Sequence, residues 1–330
     1  MAPEQIDDPE GRNEGHPTEH LTAGQLAEIW ACVRYATDLE NEQTRDAPEI
    51  TEFAPGAFAA GVIRHRLQLT LAPVLGSIDL PSEDSEVIAR GAYNQRLAAL
   101  DLARNTSEVC ELLRADAINV IVLKGVALAL QTTGDIGRRG SGDVDIWIDP
   151  ADLERAITSL SKAGIEAIPG SAPANVNSAG FHYAKWVLAE LPMVRDHLTI
   201  DLHWWPNHVR GILPPFATAW NRRQAVSIGG TQIATLGLAD ALTHSCAHAQ
   251  QDDWYWLRSL VDVDRLSRAI VDSHAPTHEL AADIKPTIAV THAVTRSPYL
   301  LPLKGHNPKA ERRVVSIARA SQRLQTVPAP

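Results

Sequence analysis

Residues Gly142-Asp143-Val144-Asp145-Ile146-Trp147-Ile148 set two carboxylates one residue apart inside an otherwise apolar run. Side chains on a β-strand alternate faces, so Asp143, Asp145 and Trp147 share one face and Val144, Ile146 and Ile148 the other. One face can rest on a hydrophobic core while the other offers hard oxygen ligands to a divalent cation. Leu198-Thr199-Ile200-Asp201-Leu202-His203 repeats the pattern, with Asp201 on the face opposite Leu198, Ile200 and Leu202. If the two segments are neighbouring strands, three carboxylates converge. Phosphoryl and nucleotidyl transfer need such a cluster, because their catalysis is mostly charge stabilisation and in-line positioning around divalent ions. Without a cation the clustered carboxylates would repel, and at least one would hold its proton to higher pH.

Composition narrows the classes. A chain of 330 residues can bury a sizeable core. No run of about 18 apolar residues occurs, so no membrane-spanning helix is expected. The N-terminus lacks the basic-then-apolar layout of a secretory signal. Cys32, Cys110 and Cys246 are far apart with no CxxC spacing. They read as buried reduced thiols in a cytoplasmic protein rather than a disulfide framework or zinc site. A net charge of −10 argues against a general nucleic-acid binder, and DNA is not an expected partner. The charge is uneven, however. Glu4, Asp7, Asp8, Glu10, Glu14 and Glu19 face Arg12 alone in residues 1–20, an acidic tail expected to be disordered. Lys304, Lys309, Arg312, Arg313, Arg319 and Arg323 make the other end basic, a pattern that fits a solvated helix face better than an RNA contact.

The order of elements gives the architecture. Leu26, Ile29, Trp30, Val33 and Ala36 follow helical spacing, and further helices are expected from Gly56 to about Leu75 and from Ser85 to about Ala115. Asn119 to Leu123 is a short β-rich run, and Lys124-Gly125 ends it. Val126 to Gln131 reads as a helix. A Gly-rich, basic loop from Gly134 to Gly142 then leads into the Asp143/Asp145 strand. Asp149-Pro150 signals a helix start, and Gly164 its stop after Ala163. Phe181–Leu191 and His197–His203 read as strands, preceded by a Pro/Gly/Asn/Ser loop over residues 169–180. Gln224 to Ala234 reads as a hairpin turning at Gly229-Gly230. The chain is then helical from Leu236 to about Asp272, and again within residues 277–325. The expected division is a tail (1–20), an N-terminal helical region (21–116), an α+β core with a small mixed sheet (117–235) and a C-terminal helical region (236–330).

Leu123-Lys124-Gly125, Arg139, Gly142-Asp143-Val144-Asp145-Ile146 and Ile200-Asp201-Leu202-His203-Trp204 occur in that order. This series resembles the motifs of the uncharacterised nucleotidyltransferase family within the polymerase-β-type superfamily. The resemblance spans roughly residues 55 to 270. It implies a nucleotidyltransferase-like fold and an ATP- or other NTP-binding transferase that releases pyrophosphate. It further implies that Asp143, Asp145 and Asp201 are the catalytic and metal-binding residues, with Mg²⁺ or Mn²⁺ as the ion, and that Asp201 helps deprotonate an acceptor hydroxyl. Lys124, Gly125 and Arg139 would contact the nucleotide phosphates. The superfamily usually places Ser after the first glycine of the turn; here Val126 stands there, so backbone N–H groups, Lys124 and Arg139 would carry the phosphate contacts.

Other motifs point to no competing chemistry. His203 shares the Asp201 face, where it could meet substrate or metal-bound water, or pack on Trp204 or Trp205. His244 and His248 share a helix face but lack the Glu of H-E-x-x-H, so hydrogen bonding is the favoured role. No G-x-S-x-G nucleophile turn is present. The expected acceptor is a small molecule or peptide rather than RNA. Two alternatives stand beside the enzyme: a catalytically inactive nucleotide-binding regulator, and a toxin-like RNA-modifying nucleotidyltransferase.

Overall fold

A capping box starts the first helix. Thr22 Oγ1 accepts from Gln25 N at 3.1 Å, and Gln25 Oε1 accepts from Thr22 N at 2.9 Å. The structure, a computed structural model, describes residues 21–40, 43, 45–171, 178–207, 210–275 and 284–304. Five helices flank the start of the sheet: α1 (Ala23–Glu40), α2 (Ala57–Arg64), α3 (Gln68–Leu71), the long α4 (Ser82–Ala115) and, after strand β1 (Val120–Val122), α5 (Val126–Thr133). The single helix expected from Gly56 to Leu75 is instead α2, α3 and a 3₁₀ turn at Ala72–Ser77. Arg66 takes φ 57° between α2 and α3, a left-handed residue that a continuous helix cannot hold. Asp84, buried near the start of α4, caps α2 from outside, accepting from Gly56 N at 2.9 Å and Ala59 N at 2.7 Å.

Strand β2 (Val144–Ile148) follows the glycine-rich loop. Asp149 then accepts from Ala151 N at 2.8 Å and opens a 3₁₀ turn into α6 (Leu153–Lys162). Strand β3 (Glu166–Ala167) and helix α7 (Ala179–Val187) come next, followed by β4 (Glu190–Arg195) and β5 (Leu198–His203). Helix α7 corrects the strand expected from Phe181. Ser178 Oγ accepts from Phe181 N at 3.1 Å, an N-cap that outweighs the β preference of Phe181, Tyr183 and Trp186. Pairing begins only at Glu190. Helix α8 (Phe216–Asn221) leads to the hairpin β6 (Gln224–Ile228) and β7 (Thr231–Thr235). Gly229 and Gly230 at φ 57° and 90° supply the left-handed turn this hairpin requires. Helices α9 (Leu238–Gln251), α10 (Leu257–Asp272), α11 (Lys285–Thr295) and α12 (Leu301–Lys304) follow. The acidic tail and most of the basic C-terminal stretch lie outside the described residues.

The strands form one mixed seven-stranded sheet, ordered β3-β4-β5-β2-β1-β7-β6. Strand β2 is central, parallel to β5 and antiparallel to β1. Val144, Ile146 and Ile148 join Ile200 and Leu202 in a core against α4 and α6. The opposite face is covered as well: Ile121, Leu123 and Trp147 pack with residues of α8, α9, α10 and α11. The Asp face of β2 is therefore not open along its length. Trp147 is buried edge-on against Phe216, ring centroids 5.2 Å apart. Only the start of the strand reaches the site.

The helical regions at the two ends meet in a third core, where Ile29, Trp30, Phe58 and Val62 pack with Leu257, Leu260 and Val290. Arg265 on α10 bridges to Glu40 at the end of α1, with its Nε 3.1 Å from Oε2. Cys32, Cys110 and Cys246 are buried free thiols.

Candidate metal and nucleotide site

The register of β2 and β5 decides where the carboxylates fall. Val144 pairs with Ile200, Asp145 with Asp201, Ile146 with Leu202 and Trp147 with His203. Parallel neighbours in register point their side chains the same way, so Asp145 and Asp201 stand side by side. Asp145, Asp201 and His203 each offer a ligand atom within 4.8 Å of the others. His203 is the member whose role the sequence left open. The signal available was its place two residues after Asp201, on the same face.

Asp145 is buried at the centre of the cluster. Its Oδ1 lies 3.0 Å from Lys124 Nζ and 3.4 Å from His203 Nε2, while its Oδ2 is buried with no hydrogen-bond partner. Burial alone would push the Asp145 pKa up. The Lys124 ammonium and then His203 outweigh it and hold the carboxyl well below its usual range. Asp201 goes the other way, raised to about 7 by burial and by the charges of Asp145 and Asp143. His203 is raised despite burial, because Asp145 and Glu190 draw a proton to it. Glu190 Oε2 lies 3.0 Å from His203 Nδ1, and the two are register partners across β4 and β5.

Asp143 lies in the bend just before β2. Its Oδ1 accepts from Ser141 Oγ at 3.0 Å, and its charge reaches both Asp201 and Lys124. It borders the close group of Asp145, Asp201 and His203 without belonging to it. Gly125, at φ 63°, makes the turn from β1 into α5, and a Cβ there would meet Ser141 Oγ at 3.3 Å. Glycine at position 125 thus lets the turn lie close under the Asp143 bend. Ser141, absent from the sequence expectations, joins these two motifs. Val126 is buried in the sheet core, so its side chain makes no phosphate contact.

The basic residues are drawn toward carboxylates. Lys124 Nζ, besides Asp145, lies 3.5 Å from His248 Nε2. Burial disfavours the Lys124 charge, but Asp145 and Asp143 outweigh it and raise the pKa. Arg139 is buried against α10, forked onto its Asp262: Nε lies 3.0 Å from both Asp262 oxygens and Nη2 3.0 Å from Oδ2, while Nη1 is buried without a hydrogen-bond partner. Arg258, one turn earlier on α10, donates from Nη1 to Gly140 O at 2.9 Å and fastens the same loop. Arg138 turns to Glu40 and Asp135. His244 Nε2 lies 3.1 Å from Pro206 O, and burial, then His248, lowers its pKa to about 3.

Four carboxylates (Asp143, Asp145, Asp201 and Glu190) thus surround one lysine ammonium and one imidazole. The unpartnered Asp145 oxygen and this excess negative charge fit a divalent cation. A family model described as "Uncharacterised nucleotidyltransferase" matches residues 51–283, across the three motifs, the sheet and helices α2 to α10. The chain belongs to this family. It is accordingly a nucleotidyltransferase by family, with a carboxylate and histidine group able to hold a metal ion. No curated protein matches the chain. Among the described residues, no helix is long and apolar enough to cross a membrane.

Proposed function

We propose that this nucleotidyltransferase moves a nucleoside monophosphate from an NTP to a hydroxyl or phosphate acceptor, using Mg²⁺ or Mn²⁺. The observation that carries the proposal is Asp145 in register with Asp201, with one Asp145 oxygen buried and unpartnered. Asp145 and Asp201 would hold the cation, with Asp143 at the rim toward the nucleotide. A divalent ion there supplies Lewis-acid stabilisation of the charge that builds on the phosphoryl oxygens.

The chain's own groups do the rest. An Asp201 carboxylate oxygen takes the proton of the acceptor hydroxyl as the acceptor oxygen bonds to the α-phosphorus. The bond from that phosphorus to the bridging oxygen breaks, and pyrophosphate leaves. The backbone at Gly125, the Lys124 ammonium and the buried Nη1 of Arg139 are the donors proposed for the triphosphate. A small molecule or peptide is the acceptor favoured by the chain's net charge of −10.

A protein that binds NTP without turnover is the competing reading. The observation in its favour is the Lys124 ammonium already seated 3.0 Å from Asp145 Oδ1, where it neutralises a metal ligand. Incubation with each α-labelled NTP, Mg²⁺ or Mn²⁺ and a cell extract tests the proposal. Transfer of label to an acceptor, with matching pyrophosphate, is the expected result. Nucleotide binding with no label transferred under any condition would favour the competing reading.

A further inference from the structure

Histidine at position 203 introduces nitrogen into a site otherwise built of carboxylates. Its Nδ1 lies 3.0 Å from Glu190 Oε2, an ion-pair contact without hydrogen-bond geometry, while Nε2 lies 3.4 Å from Asp145 Oδ1, in the group it forms with Asp201. The ring is 6% exposed and held between strands, with Glu190 its partner across β4 and Trp147 its partner across β2. A histidine with a carboxylate beside one ring nitrogen and the other nitrogen turned to clustered oxygens is placed as a metal ligand, the carboxylate being positioned to take its N–H when an ion binds. A second feature points to an ion independently: Asp145 Oδ2, in a residue 2% exposed, is buried in the cluster with no hydrogen-bond partner.

We propose that His203 is the third protein ligand beside Asp145 and Asp201, oriented by Glu190, and that the site therefore prefers a first-row transition ion such as Mn²⁺ over Mg²⁺. The inference rests on the metal-site reading above and adds the identity of the ion. Mg²⁺ binds oxygen almost exclusively and keeps its waters, taking most ligands from phosphate and solvent. Imidazole raises the affinity of transition ions instead. Three protein ligands also let the ion bind before any nucleotide arrives.

The test uses the full-length protein with Mn²⁺ alone as the probe. Pulsed electron paramagnetic resonance of bound Mn²⁺ should show hyperfine coupling to a histidine nitrogen, and His203→Ala should abolish it. Titration by the same resonance should give wild type a clear preference for Mn²⁺ over Mg²⁺. Glu190→Gln should weaken Mn²⁺ binding about 10- to 100-fold, the scale for an outer partner of a ligating histidine, with a smaller change for Mg²⁺. Mn²⁺ bound to wild type without nitrogen coupling would overturn the His203 assignment and leave the proposed function standing. So would coupling that persists in His203→Ala. Failure of wild type to bind Mn²⁺ at all would overturn the inference and count against the metal-site reading beneath it. The wild-type spectrum is decisive by itself if His203→Ala does not fold.

Discussion

Asp201 and Asp145 are neighbours of the same chemical type with opposite electrostatics, and the difference comes from what each one touches. Asp145 has Lys124 and His203 within reach, whereas Asp201 is raised to about 7 by burial and the charges of Asp145 and Asp143. A carboxyl raised on folding contributes stability below its unfolded value of 3.8 and loses it as pH climbs through about 7. In chelator, the melting temperature of Asp201→Asn relative to wild type should therefore rise between about pH 4 and 7 and level off above. The comparison between the two proteins is needed because His244, lowered to about 3, contributes in the opposite sense: its stabilisation is lost as pH falls from its ordinary 6.5 toward 3. A flat difference across that window would contradict the Asp201 environment described here. At the same scale, Gly125→Ala should cost about 1–2 kcal/mol, since position 125 sits at φ 63° with Ser141 Oγ 3.3 Å from a Cβ. Denaturant melts check that value.

Among the elements, α10 holds the glycine-rich loop in place. Asp262 takes the Arg139 fork and Arg258 takes Gly140 O, so one helix face fixes the loop that enters β2. Asp262→Ala would leave Arg139 buried and uncompensated, and should destabilise the fold by about 3–5 kcal/mol in denaturant melts. A loss under about 1 kcal/mol would show that the pair does not anchor the loop. This scale also separates what the sequence carried from what it did not. The strand alternation at Asp143–Ile148 and Leu198–His203 was legible because period-two patterning is local. So were the hairpin at Gly229-Gly230 and the Asp149-Pro150 helix start. Helix α7 was not, because three aromatics suggested a strand while a single Ser178 hydroxyl decided for helix. The Arg139–Asp262 fork joins residues 123 positions apart. No spacing rule reaches across that distance, so the pairing of Arg139 with α10 was not legible in the sequence. The participation of Glu190 depended on β4 pairing with β5, which local patterning does not fix.

For the whole molecule, the sheet has helices on both faces, and helices from both ends of the chain share one core. The acidic site lies in this shared structure, so an ion bound there should stabilise the entire fold. At a hundredfold excess over Kd the gain is about 2.7 kcal/mol. Thermal melts with and without Mn²⁺ should differ by several degrees for wild type, and Asp145→Asn should remove most of the shift. An unchanged melting temperature in wild type would speak against a metal site. The central claim, nucleotidyl transfer at Asp145 and Asp201, is tested most directly by pyrophosphate release measured beside NTP affinity in wild type and Asp201→Asn. The substitution removes charge and barely changes shape. Turnover should fall by about 100-fold or more, the scale of a lost transition-state stabiliser, while NTP affinity changes far less. Equal pyrophosphate release by the two proteins would contradict the account.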